Sequence, residues 1–362
     1  MPKREKHQFY RGLSGDIKDA NSALGKVSMF LKSPLGKFFL EKESGVYSYQ
    51  ICIRDNYINI YWNGCSVLKY RPLAKKNIYS VHYKYVIGEN LREENMAIDI
   101  SNNPYVRFVA TDNFEDLILE NHPNLSYKND VLDKVEEKIR DENHVRGEKQ
   151  NLADYLKEER DDIFLLDLEV AFTRERKMDE KMDIAKRNKK DVNKVRNFVA
   201  DRLDMAQLEA VGDRYKLRLV EVKRVMDPRV RKSEGNPEVA SQMAKYEDFV
   251  KTEKSNIVKS YKRMAENYKD LELHRMFPIL KGKTPSYVLD KFIEYPGVFE
   301  QPHLLLIGPE AQITNELKGN QYRDHFEVLR VDCKLGSSVY GYDPDTKEYY
   351  GRQTVGSRFS HF

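Results

Sequence analysis

Arg202-Leu203-Asp204-Met205 and Leu217-Arg218-Leu219-Val220-Glu221-Val222-Lys223-Arg224 are the stretches whose reading decides the fold. Each is short and rich in apolar residues, which predicts two β-strands. Between them lies Ala210-Val211-Gly212-Asp213-Arg214, whose Gly-Asp pair predicts the turn of a hairpin. Side chains of a strand alternate between its faces. Leu217, Leu219, Glu221 and Lys223 therefore share one face, and Arg218, Val220 and Val222 the other. Two apolar residues thus lead into a carboxylate and an ammonium on the same face of a half-buried strand. Such a placement asks for a chemical reason. A hard divalent cation such as Mg²⁺ takes one or two carboxylates and keeps several waters. Asp204 on the first strand can lie beside Glu221 on the second and share that ion. The ion would polarise a scissile phosphate and acidify a bound water. Lys223 would stabilise the developing negative charge, or orient or deprotonate the water. Without a metal, Glu221 and Lys223 are an exposed charge pair worth about a few tenths of a kcal/mol.

The pattern continues downstream. Asn236-Pro237-Glu238 opens a helix, with Asn236 as N-cap candidate, proline in the first turn and an acid beside it. Gln242 and Tyr246 follow on one helical face at i and i+4. The order Asp204, Glu221-Val222-Lys223, then a Gln-x-x-x-Tyr helix resembles the core signature of the PD-(D/E)XK nuclease superfamily. Within it, the pattern is similar to the branch of RecB-type and CRISPR-associated nucleases. Phe164 to Phe172 resembles that family's first core strand, and His303 to Gly308 a late one. The resemblance covers roughly residues 150 to 330. It implies an α/β domain of the mixed-sheet, α+β kind with a restriction-endonuclease-like core. It also implies hydrolysis of phosphodiester bonds, in DNA first of all, with Mg²⁺ as cofactor and Mn²⁺ able to replace it. On that resemblance Asp204 and Glu221 are metal ligands, Lys223 is catalytic and Gln242 stands near the metal. Glu158, Glu159 and Glu169 compete for the place of a further acid. The chain departs from the family in having Leu203 before Asp204 instead of proline. A long charge-rich segment also separates the first strand from Asp204.

A chain of 362 residues suggests two domains. Charged residues make up 33%, but 23 Tyr and 16 Phe supply enough apolar bulk for packed cores, so the chain is not of the disordered class. A net charge of +4 argues neither for nor against nucleic acid; local clusters decide that. Cys52, Cys65 and Cys333 are odd in number and lack CxxC spacing, which fits a reducing cytoplasm rather than a disulfide framework. No apolar leader follows Met1, and no run of about eighteen apolar residues exists, so no membrane partner is expected.

Residues 1–128 read as a β-rich module with a polar, basic lead-in of about thirty residues. Tyr47 to Ile53, Tyr57 to Trp62, Cys65 to Tyr70 and Tyr79 to Val86 read as strands, with Asn63-Gly64 a hairpin turn. Their aromatics interleave with Lys69, Arg71, Lys75, Lys76 and Lys84. That pattern suits a nucleic-acid surface, but singly each tyrosine suits an ordinary sheet with its phenol toward water, and Trp62 suits the core. The module is also a candidate surface for a homodimer or another protein partner. Residues 129–150 read as a charged helical bridge, with Val131, Leu132, Val135 and Ile139 at helical spacing. Residues 151–335 carry the nuclease-like pattern, and residues 336–362 read as a tail or hairpin.

Between Arg174 and Arg202 lies a charge-dense, partly helical insertion. Its Lys189 and Lys190, with Arg224, Arg229 and Arg231 beyond Lys223, are candidate phosphate contacts; a solvated face with i,i+4 ion pairs is the alternative. Helices are expected from Pro237 toward Leu273, near Tyr287 to Tyr295, and from Ile313 to Leu329. The histidines show no ligand spacing. Two rival functions remain from the same residues: an inactive nuclease-like module that binds nucleic acid, and a protein-interaction module.

Overall fold

The structure is a computed structural model that describes residues 9–41, 49–74, 77–82, 105–111, 115–120, 122–144, 152, 155, 164–175, 178–187, 198–230, 236–277, 279–308, 329–330, 333–335, 339–343 and 348–350. It has a mixed α and β architecture built on two sheets. The expected helix over 313–329, residues 83–86 of the fourth strand, and Lys75, Lys76 and Lys84 lie outside the described residues or almost wholly so.

Two helices, α1 (Ala23–Lys32) and α2 (Pro34–Glu41), stand where a polar lead-in and then β pattern were expected. The helical signal is present in retrospect. Leu24, Val27, Phe30 and Leu31 recur at helical spacing and are buried, and the Ser22 hydroxyl accepts from the Gly25 N–H at 2.9 Å. The first sheet follows as β1 (Gln50–Ile53), β2 (Ile58–Trp62), β3 (Cys65–Pro72), β4 (Asn77–His82), β5 (Tyr105–Ala110), β6 (Leu117–Leu119) and β7 (His122–Ser126). It is an antiparallel meander in sequence order. Asn63-Gly64 does form the β2–β3 turn, both residues at positive φ. Trp62 is buried. A π-helical turn (Tyr127–Val131) leads into α3 (Leu132–His144). Val131, Leu132, Val135 and Ile139 are all buried in the core beside the first sheet, so this helix packs on that sheet.

The second sheet contains β8 (Phe164–Glu175), β9 (Phe198–Val211), β10 (Arg214–Arg224), β11 (His303–Ile307), β12 (Val339–Asp343) and β13 (Glu348–Tyr350), in the order β13-β12-β11-β10-β9-β8. The hairpin expected from Gly212-Asp213 is β9–β10, with Val211 opposite Arg214 and Gly212 at φ 63°. Only a residue without Cβ takes that conformation at low cost. Strands β10, β11 and β12 run parallel; the other pairings are antiparallel. The C-terminal stretch expected as a tail or hairpin is a hairpin, and its first strand is an integral part of this sheet, with Val339, Tyr340 and Tyr342 buried. The insertion between β8 and β9 contains α4 (Met178–Arg187).

Two further helices cover the sheet: α5 (Glu238–Asp270) and α6 (Pro285–Glu294). At 33 residues α5 is about 50 Å long. Val239, Met243, Tyr246, Val250, Ile257, Tyr261, Met264 and Tyr268 form its buried stripe. Pro237, not Asn236, holds the N-cap position, and no side chain caps it. On the opposite face of the sheet a smaller cluster gathers Leu168, Met205, Val220, Val222, Leu305 and Tyr342 with Leu152 and Tyr155. Ala153 and Leu156 lie outside the described residues.

The main apolar core is continuous from one sheet to the other. A buried ionic clamp crosses the same junction. Asp167 on β8 is fully buried; Arg11 Nε donates to its Oδ2 at 3.1 Å, Tyr261 Oη donates to the same oxygen at 3.0 Å, and Arg54 from the first sheet pairs with it as well. The segment around Arg11 is pinned to α5, since Asn267 Oδ1 accepts from the Leu13 N–H at 2.7 Å. Removing one member of a buried ionic group strands the others without compensation. Asp167→Ala is therefore expected to cost about 3–5 kcal/mol, measured as a lower urea midpoint at unchanged slope. A loss below about 1 kcal/mol would show that the clamp does not hold the sheets together.

Candidate functional site

The site forms where β9 leaves β10. The antiparallel ladder runs from Val211/Arg214 to Met205/Val220 and stops. The next residues are Asp204 and Glu221. Asp204 Oδ2 accepts a hydrogen bond from the Val222 N–H at 2.7 Å, so a side chain takes over where the backbone ladder ends. Beyond that point β9 stays paired with β8, from Leu203/Val170 to Phe198/Glu175. Two carboxylates thus stand on neighbouring strands at a fork in the sheet.

Strand alternation places Glu221 and Lys223 together as expected, but the pair is buried rather than exposed, each about 2% accessible. Lys223 Nζ donates to Glu221 Oε1 at 2.5 Å and to the Val222 carbonyl at 2.9 Å. Burial changes the energetics. A solvated pair is worth a few tenths of a kcal/mol, whereas ions removed from water need further hydrogen bonds. The first turns of α5 supply one. Gln242 Nε2 donates to Glu221 Oε1 at 2.8 Å and to Tyr246 Oη at 2.5 Å, and Tyr246 Oη donates to the Arg202 carbonyl at 2.8 Å. The Gln-x-x-x-Tyr face therefore links the β10 acid to the backbone of β9. Burial, then the charge of Glu221, pushes the Tyr246 hydroxyl well above the usual tyrosine range, so it remains a donor at ordinary pH.

Glu169 lies on β8 between the pairs Leu168/Met205 and Val170/Leu203, which sets it level with Asp204. Its backbone has φ 48°, an uncommon conformation for glutamate inside a strand. Arg202 Nη1 holds one of its oxygens at 2.9 Å, and Tyr61 Oη from the first sheet donates to the other at 3.0 Å. Arg202 and Tyr61 are site residues that the sequence reading missed. Arg202 stood inside the quoted stretch, but no local pattern marks Tyr61. Glu158, Glu159, Lys189, Lys190 and Arg231 lie outside the described residues. Arg224 is half-buried at the end of β10. Arg229 is engaged locally: its Nε and Nη2 donate to the Asp227 carboxylate at 3.0 and 2.6 Å. Burial opposes ionisation of that carboxylate, but Arg229 outweighs it and holds Asp227 below the usual range.

Asp204 and Glu221 offer hard oxygen donors of the kind Mg²⁺ takes, and two carboxylates are within its usual complement. The donor chemistry fits. Among the described residues no group of three or more His, Cys, Asp and Glu could hold a metal ion, so Glu169 is not drawn into such a cluster. Cys52, Cys65 and Cys333 are free; burial raises the Cys52 thiol further. No described helix is long and apolar enough to cross a membrane. No family model, curated protein or solved structure matches the chain.

The Gln242–Glu221 bond is testable without any activity. A hydrogen bond to a buried charge contributes about 1.5–3 kcal/mol. A double-mutant cycle of Glu221→Gln and Gln242→Ala in urea should return a coupling of at least about 1 kcal/mol. Additive losses would show that Gln242 is only a helix residue.

Proposed function

We propose that the chain is a metal-dependent nuclease of the PD-(D/E)XK kind, with a restriction-endonuclease-like core, hydrolysing phosphodiester bonds in DNA. The observation that carries this reading is the junction of four residues, Asp204, Glu221, Lys223 and Gln242. They come from two strands and a helix and meet at the fork between β9 and β10. A buried structural ion pair accounts for Glu221, Lys223 and the hydrogen bond from Gln242. It does not of itself call for a second carboxylate, Asp204, beside them.

In this reading Asp204 and Glu221 would hold Mg²⁺. The bound ion supplies charge neutralisation at the scissile phosphate and a more acidic water. The chain's own residues do the remaining work. Gln242 fixes the rotamer of Glu221, and the Val222 N–H fixes Asp204. Lys223 keeps an ammonium beside the carboxylates, where it stabilises negative charge developing on phosphate oxygens. The second reading is an inactive nuclease-like module that binds nucleic acid. It draws on the burial of Glu221 and Lys223, which leaves both about 2% accessible.

Cleavage of labelled single- and double-stranded DNA with Mg²⁺, with Mn²⁺ and with EDTA decides between them. Metal-dependent cleavage is expected, and Asp204→Ala and Glu221→Gln should abolish it with the fold intact by circular dichroism. Near-normal activity in either variant would refute the metal assignment. No cleavage under any metal, together with retained binding, would leave the inactive module.

Lys223 and Arg224 should separate cleanly. Lys223→Met should lower the single-turnover rate at saturating DNA by roughly 10²–10³. Arg224→Ala should at most weaken binding and reduce its salt slope by about one. The reverse pattern would show that Arg224, and not Lys223, serves the chemistry.

A further inference from the structure

One face of the first sheet carries a second cluster of charge. Register sets Asn59, Lys69, Ser80 and Arg107 in one row across β2 to β5. Tyr105 stands two residues from Arg107 on the same strand face. Lys69 Nζ lies 4.5 Å from the Tyr57 ring centroid and 5.2 Å from that of Tyr105, and the Arg71 guanidinium lies 4.6 Å from Tyr57. Cations over aromatic faces are attracted by the ring quadrupole. That attraction alone does not account for three cations together. Among the described residues, Lys69, Arg71 and Arg107 make no ion pair with a carboxylate, and Arg71 Nε is buried without a hydrogen-bond partner.

This arrangement costs stability at neutral pH. Burial, then the charges of Arg71 and Arg54, pushes the Lys69 ammonium down to about 8. Between about pH 8 and the ordinary lysine value the unfolded chain binds more protons than the folded one, so stability rises with pH across that window. Below it the charged lysine is held in an unfavourable place. An anion set between Lys69, Arg71 and Arg107 would offset that penalty.

The face also adjoins the candidate site. Tyr61, two residues beyond Asn59 on β2, donates to Glu169, which Arg202 holds. Tyr105 is within electrostatic range of both Glu169 and Arg202. Tyr105 is 36% exposed.

We propose that this face binds an unpaired strand of nucleic acid and leads it toward Asp204 and Glu221. Lys69, Arg71 and Arg107 contact phosphates, and Tyr105 offers a surface for a base. An unpaired strand is the occupant because aromatic stacking needs a free base face, which a duplex does not present. A lysine sunk between two tyrosines suits a thin, pliable backbone. The direction of the track rests on the nuclease reading; the binding itself does not.

The experiment is fluorescence anisotropy of the full chain with a labelled oligothymidylate and with a duplex of equal length, in EDTA, at several salt concentrations. Lys69→Gln/Arg71→Gln should weaken oligothymidylate binding at least about tenfold and reduce the salt slope by about 1.4, since each single-strand phosphate contact contributes about 0.7. Arg107→Gln, an exposed change that leaves the core untouched, should reduce the slope by about 0.7. Tyr105→Ala should weaken binding about 5- to 100-fold with the slope unchanged. Wild-type binding by Arg107→Gln and Tyr105→Ala overturns the proposal, and so does an equal loss for the duplex. Chelation removes cleavage from the readout. If the wild type binds the oligothymidylate through these residues but cuts no DNA with Mg²⁺, the nuclease reading fails and the track stands. If it cuts DNA while the variants bind like wild type, the track fails and the nuclease reading stands.

Discussion

A carboxylate and an ammonium cannot enter a protein interior separately. The desolvation of each charge is several kcal/mol, and a contact between them offsets it only with good geometry and extra hydrogen bonds. Glu221 and Lys223 meet that condition on one strand face, and the condition organises what surrounds them. Gln242 must reach Glu221, which fixes the rotation of α5 against β10. Tyr246, one turn further, then reaches the Arg202 carbonyl on β9. Asp204 answers a different need. Where β9 parts from β10, the Val222 N–H loses its ladder partner and Asp204 accepts from it. The fork, the helix position and the carboxylate cluster are consequences of one requirement, that buried polar groups be paired.

The same requirement joins the two sheets. Asp167 on β8 takes charge from Arg11 and Arg54 and a hydroxyl from Tyr261, so the N-terminal segment, the first sheet and α5 meet at one fully buried acid. Arg54 also donates to Tyr61 at 3.1 Å, and Tyr61 donates to Glu169. A line of hydrogen bonds therefore runs from the clamp to the edge of the candidate site. Such pairings add less net stability than their number suggests, because desolvation takes back most of the Coulomb gain. Their effect is to allow one relative placement of the sheets and to penalise others.

What was legible in the sequence follows from local periodicity. Alternation along Leu217 to Lys223 gave the register of β10, and the glycine at 212 located the turn, because both depend on residues a few positions apart. The i,i+4 relation of Gln242 and Tyr246 made their shared direction readable before any partner was known. Other features had no local signature. Asp167 sits in an apolar run, and its partners are 156 residues away at Arg11 and 94 away at Tyr261. Charge in such a place reads as an exposed strand residue until the fold brings the guanidiniums in. The first N-terminal helix was readable from Leu24, Val27 and Phe30, but the charged flanks of that region masked a short apolar stripe. The strand at Val339–Asp343 read as part of a tail or hairpin, and not as a strand of the main sheet, because Gly341 and neighbouring Asp, Pro and Tyr residues resemble turn composition. Its strand state comes from pairing with β11, a tertiary effect that overrides weak propensity.

Glu169 shows how the first sheet reaches the candidate site on the second. A glutamate at φ 48° in mid-strand is held against its own preference, and such conformations persist where surroundings determine them from several sides. Here two sides are visible. Arg202 from β9 grips one carboxylate oxygen, and Tyr61 from β2 donates to the other. The first contact comes from within the second sheet. The second crosses from a strand that neighbours the row of Lys69 and Arg107. The first sheet thus reaches the surroundings of Asp204 through a side chain, Tyr61, because Glu169 stands level with Asp204.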